Sequence, residues 1–155
     1  MAHLKDLMVR DLITVPADAS LADAARRMAE NRVGAVLVMK GDALVGILSE
    51  RDLVARVLAP RVDPLHATAG HVATSAVTTV DVAAPFREVL QVFRSGRFRH
   101  LPVVDNGKPV GILSTRDFLA FLVDGFERLI DDTNYRDQLA AGADPYDHLG
   151  GGYEV

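Results

Sequence analysis

The sequence predicts an α/β fold of the α+β kind: two pseudo-symmetric repeats of β-α-β-β-α type packed as one module. Two observations carry that prediction. The phrase GILSERDL, Gly46 to Leu53, returns 65 residues later as GILSTRDF, Gly111 to Phe118. The same offset keeps the chain in register with itself, without a gap, from about Leu12 to Val57. Thr14 then falls on Thr79, Leu21 on Phe86, Met28 on Phe93 and Val38 on Val103. Two copies are too few for a solenoid and describe a pair of units, each covering the other's apolar face. The chain has 155 residues, 49% of them hydrophobic, which is enough for a shared core.

Each element has a local reason. A short extended piece opens each copy: Leu12–Val15 in the first, Val77–Val80 in the second. A helix follows. In the first copy Ser20 is placed as its N-cap, with Asp23 three residues on and Leu21, Ala24, Ala25 and Met28 along one face. In the second, Pro85 suits the first helical turn, and Phe86, Val89, Leu90 and Phe93 form the apolar stripe. Two strands joined by a tight turn come next. Ala35–Met39 and Leu44–Leu48 flank Lys40-Gly41-Asp42, whereas Leu101–Val104 and Pro109–Leu113 flank a turn with Asn106-Gly107, a strong hairpin signal. A second helix starts near Ser49 or Ser114, and the first of these stops before Pro60. The expected segments are residues 1–62 for the first repeat, 63–125 for a linker and the second repeat, and 126–155 for an acidic tail. Within that tail, a helical turn or two is expected around Asn134–Ala141, and Tyr135, Tyr146 and Tyr153 are the chain's three tyrosines.

Charge and composition narrow the function. The net charge is −4, but it is unevenly placed: from Asp124 onward eight acidic residues meet only Arg128 and Arg136, leaving a slightly basic body. The body lacks the basic density of a nucleic-acid-binding surface, and Trp is absent. No apolar run is long enough to cross a bilayer, and the N-terminus carries scattered charge, so neither membrane insertion nor a signal peptide is expected. With no cysteine there is no disulfide, thiolate metal site or thiol nucleophile, and the reading is of a cytoplasmic protein. There is no Gly-x-Ser-x-Gly elbow, Walker loop or His-Glu-x-x-His, and neither Ser49 nor Ser114 has a base beside it. No catalytic residue and no metal site are expected. His3, His66, His71 and His148 share no ligand spacing and are read as facing solvent.

The repeated phrase itself has two readings. Ser-x-x-Asp at a strand-to-helix junction is a capping pattern, and Gly46 and Gly111 would let a neighbouring strand come close. The same junction also suits a phosphorylated ligand. Free amides and a positive helix end favour phosphate, Ser49 or Ser114 donates to it, and Asp52 or Asp117 accepts from a ribose diol. Arg51 or Arg116 pairs with the anion, and the glycine leaves room for a flat base. His100 is likewise open between a phosphate ligand and a half-buried strand histidine.

With its flanks, the phrase resembles the motif of the cystathionine-β-synthase (CBS) domain, and two in tandem resemble a Bateman module. The resemblance covers about Leu4 to Val123 and includes Arg99–Asp105, RHLPVVD, which is similar to the family's second strand. It implies a pair of clefts, each built from both repeats, that bind an adenosine nucleotide: AMP, ADP, ATP or a related adenosyl compound. No obligatory cofactor is implied. One cleft would combine Ser49, Arg51 and Asp52 with Val77, Thr79, Arg99 and His100. The other would combine Ser114, Arg116 and Asp117 with Ile13, Thr14, Gly34 and Ala35. The copies differ there, because Arg99 and His100 fall on Gly34 and Ala35, so unequal clefts are expected. The resulting expectation is a regulatory module that signals to a protein partner, with a structural scaffold bearing vestigial clefts, or a phosphate-transferring enzyme, as alternatives. A homodimer is also expected, pairing through Leu53, Val57, Phe118, Phe121 and Leu122, which are not all expected to be covered within one module.

Overall fold

The computed structural model describes residues 4–96 and 98–141. It divides into two compact units, with the division between Thr115 and Arg116.

The first unit holds two three-stranded sheets with the same plan. Strands β1 (Thr14–Pro16), β2 (Ala35–Lys40) and β3 (Ala43–Ser49) form one, in the order β1-β2-β3. Strands β4 (Val80–Asp81), β5 (His100–Asp105) and β6 (Lys108–Ser114) form the other, in the order β4-β5-β6. In each, the first pair is parallel and the second is a hairpin. The registers match residue for residue: Ala35 faces Ser49 as His100 faces Ser114, and each hairpin breaks register once, after Val38 or Val103. The turn residues Asn106 and Gly107 both have positive φ, 50° and 78°, as a two-residue hairpin of this hand requires. The opening strands are shorter than the sequence suggests. β4 keeps only Val80 and Asp81, so Val77 and Thr79 lie in the segment leading to it.

Helix α1 (Leu21–Asn31) is capped as its sequence implies: the Ser20 hydroxyl oxygen accepts from the Asp23 amide at 3.0 Å. The linker adds to the cap, since the amides of Leu21 and Ala22 donate to the carbonyls of Ala67 and Pro64. Helix α4 (Phe86–Ser95) begins just after Pro85, which serves as its N-cap and not as part of its first turn. The buried face of α1, Leu21, Ala24 and Met28, packs with Val15, Val36, Val38 and Leu48 into one core. Each fully buried Leu or Val in that core contributes roughly 1.5–3 kcal/mol.

After β3 the chain makes one turn of α-helix, α2 (Glu50–Asp52), and then a π-helix, Leu53–Leu58, in which the Ala59 amide reaches the Val54 carbonyl at 2.9 Å. A four-residue helix, α3 (Ala69–Val72), lies within the expected linker.

The two repeats exchange arms. Val9 bridges Ile112 of β6, and 65 residues later Thr74 bridges Ile47 of β3. Gly46 and Gly111 stand where these arms pass. A Cβ on Gly46 would sit 2.9 Å from the Cβ of Ala73, and one on Gly111 would sit 2.5 Å from the sulfur of Met8. The glycines therefore serve close backbone approach, and the space beside them is filled by the arms, not left for a base.

Of the second unit the structure describes one helix, α5 (Thr115–Ala140), up to Ala141. It runs straight through residue 125 and converts the expected turn or two near Asn134 into a continuous helix. The face expected to need a partner is not the one left exposed. Val57 and Phe118 are buried, and Leu53, Phe121 and Leu122 are partly covered, whereas Leu119, Val123, Phe126 and Ile130 are exposed along α5. No helix among the described residues is long and apolar enough to cross a membrane. His3, His148, Tyr146 and Tyr153 lie outside the described residues.

Candidate functional site

The strand-to-helix junction at Ser49 opens on a cavity of about 290 Å3. Ser49 and Asp52 form a reciprocal capping box. The Ser49 amide donates to Asp52 Oδ2 at 2.9 Å, and the Asp52 amide donates to Ser49 Oγ at 3.3 Å. The Ser49 hydroxyl also donates to Oδ2, at 2.7 Å. Capping, one of the two readings of this phrase, is thus present in the structure. It leaves Asp52 Oδ1 as the oxygen not engaged by Ser49, 3.5 Å from Arg56 Nε. The Asp52 side chain is only 17% exposed, so that carboxylate is largely removed from water.

Both repeats line the cavity. The first supplies Gly34, Ser49, Arg51, Asp52 and Arg56; the arm and second repeat supply Thr74, Val77, Thr78, Arg99 and His100. Gly34, expected beside Ser114 and Asp117, stands here because the start of β2 lies against His100. A Cβ at Gly34 would meet the imidazole at 3.4 Å and the Glu50 carboxylate at 3.5 Å. The Gly34 carbonyl accepts from the Glu50 amide, which fixes the loop to the helix start. Thr79 is exposed and does not line the cavity; its neighbour Thr78 does. Arg51, Arg56 and Arg99 outweigh Glu50 and Asp52, so the lining favours an anion, while Val77, Ile47, Phe98 and Pro102 add apolar wall.

The remaining expected residues are placed as follows. Ile13 precedes β1 and its carbonyl accepts from the Leu37 amide; Thr14 is paired with Leu37 in the sheet. Ala35 is buried at the start of β2. Ser114 ends β6 opposite His100. Arg116 and Asp117 are exposed in the first turn of α5. Sequence reasoning missed Arg56, Glu50, Thr74, Thr78 and Phe98. Arg56 had a legible signal, standing four residues after Asp52 on a helix, where opposite charges pair. Phe98 had none. Among the described residues no three His, Asp or Glu side chains group as a metal site.

A helix start held by a capping box, a cleft lined from two like repeats and arms exchanged between their sheets define a pseudo-symmetric two-repeat architecture. A family model described as the CBS domain matches residues 4–59 and again residues 69–124, and the chain belongs to that family. It is 33% identical over 154 residues to the CBS domain-containing protein CBSCBSPB3 of Arabidopsis thaliana, covering 98% of this chain and 27% of that protein. The chain spans only about a quarter of the plant relatives it matches. It is also 33% identical over 123 residues to Hypoxic response protein 1 of Mycobacterium tuberculosis, covering 79% of this chain and 86% of that one. Among solved structures, the CBS domain protein PAE2072 from Pyrobaculum aerophilum complexed with AMP superposes with a TM-score of 0.68, at 32% identity, over 75% of this chain and 89% of that one.

Proposed function

We propose that the chain is a ligand-sensing regulatory module that holds an adenosine nucleotide in the cavity beside Ser49 and Asp52 and passes its occupancy to a protein partner. One observation carries this reading: a cluster of arginines and a largely buried carboxylate share one cavity lined from both repeats. Ligand cavities usually begin near 300 Å3, so about 290 Å3 suits a single nucleotide. The AMP complex of the similar Pyrobaculum protein supports the class of ligand.

In this reading Asp52 Oδ1 accepts from the ribose hydroxyls, and Arg99, His100 and Arg51 hold phosphate. Val77, Thr78 and the bare backbone at Gly34 border the base. Ser49 acts by aiming Asp52 through the capping box. The ligand regulates by preferring one arrangement of the two repeats, so its binding energy becomes a shift in population. The module works as a cytoplasmic homodimer, with the exposed stripe of α5 as the surface that a second copy covers. The test is mass spectrometry of small molecules released when purified protein is denatured. An adenosine nucleotide is expected. Protein that releases none, and whose melting temperature moves with neither AMP, ADP nor ATP, is a scaffold instead.

A further inference from the structure

The guanidinium of Arg56 joins three separate walls of the cavity region. Its Nε lies 3.5 Å from Asp52 Oδ1. Its Nη1 donates to the carbonyl of Val72 at 2.9 Å, at the end of α3, and to Thr74 Oγ1 at 3.2 Å, on the exchanged arm. Thr74 is itself tied to β3 by two backbone bonds, its amide to the Ile47 carbonyl and the Ile47 amide to its own carbonyl. The arm then continues as Ala76, Val77 and Thr78, which line the cavity. The 65-residue offset places Phe121 where Arg56 stands and Val9 where Thr74 stands, so the second copy's sequence cannot make this tie.

We propose that Arg56 is the positioning residue of this cavity. It orients the Asp52 carboxylate and clamps the arm in a single contact, so that occupancy at Asp52 and attachment of the arm are coupled. Arginine is required because its planar fork presents Nε and Nη1 in fixed geometry, which an ammonium cannot reproduce. The clamp explains how a ligand seated in the first repeat is felt by a segment that belongs to the second. The inference rests on the nucleotide reading for its ligand, but the clamp itself is testable without one.

The experiment compares Arg56→Ala, Arg56→Lys and the parent in two measurements. In ligand-free protein, amide hydrogen exchange at Thr74 and Ile47 should quicken in Arg56→Ala, with Leu37, whose amide bonds to Ile13, unchanged as the sign of an intact fold. In calorimetric titration, AMP and adenosine should weaken by the same factor, about two- to tenfold, because a positioning role acts on the ribose acceptor that both share. Arg56→Lys should recover only part of each effect. Unchanged exchange at Thr74 and Ile47 overturns the clamp. A loss confined to AMP overturns the positioning role, since Arg56 then contacts phosphate. If the parent binds neither ligand, the nucleotide reading fails, and the exchange comparison still decides the clamp.

Discussion

Gly46 and Gly111 occupy equivalent places, yet their neighbours differ in what they can yield. Behind Gly46 stands the Cβ of Ala73, with the Thr74 carbonyl beside it at 3.4 Å; behind Gly111 stands the flexible side chain of Met8. A methyl group at Gly46 meets atoms fixed to backbone, whereas methionine can change rotamer. Gly46→Ala should therefore cost about 1–3 kcal/mol, the usual range for overpacking, and Gly111→Ala less. Urea unfolding of the two variants gives the comparison, and equal losses would contradict this account of the arms. A second prediction concerns Arg99, which lines the cavity from the second repeat. As a phosphate contact, Arg99→Ala should weaken AMP by about ten- to hundredfold and leave adenosine nearly unaffected, read by titration of both ligands. At this scale the sequence was legible where chemistry is local. Ser49 and Asp52 read as a cap from their spacing alone. Glu50 did not declare itself, because what brings it to the cavity is the packing of the β2 start against His100, a contact between residues far apart in the chain.

The elements followed their sequence signals closely, and the exceptions have physical causes. Helix α1 starts where Ser20 and Asp23 say it should, since a cap is a matter of neighbours. The helix after β3 takes π geometry over Leu53–Leu58, which apolar periodicity in so short a segment does not distinguish from α. Helix α5 runs on through residue 125 to Ala140, since Gly125 alone costs only about 1 kcal/mol. The linker offers a prediction of its own. The Asp63 carboxyl is held below the usual carboxylate range, first by the Leu65 amide that donates to it and then by His66, 2.6 Å away. A depressed carboxyl contributes at pH above its ordinary value, and that contribution is lost as pH falls through the lower folded value. Because Asp63 is exposed, its effect belongs to local order. Asp63→Asn at neutral pH should speed amide exchange at Leu21 and Ala22, which donate to the linker carbonyls, without moving the melting temperature. Unchanged exchange there would show that the linker cap does not depend on Asp63.

For the whole molecule, the self-match at an offset of 65 residues, running from about Leu12 to Val57, makes the architecture legible in the sequence, since a match that long leaves few ways to build the chain. The exposed face was not legible, because helical apolar residues look alike in sequence whether a neighbour covers them or not. In the fold, Val57 and Phe118 are inside, and Leu119, Val123, Phe126 and Ile130 recur along α5 at alternating steps of four and three residues, with Phe126 63% exposed. A dimer built on that stripe should show twice the chain mass in light scattering at micromolar concentration, and Phe126→Glu should reduce it to a monomer. A monomeric parent would contradict the dimer. The central claim, that the cavity beside Asp52 is the nucleotide site, is tested most directly by calorimetric titration of AMP into the parent, folded Asp52→Ala and folded Asp117→Ala. Loss of a charged acceptor is worth roughly 1.5–3 kcal/mol, so Asp52→Ala should bind AMP about ten- to hundredfold more weakly at this cavity. Asp117, which does not line the cavity, should leave that affinity unchanged. Parent-like AMP binding by Asp52→Ala would contradict the account.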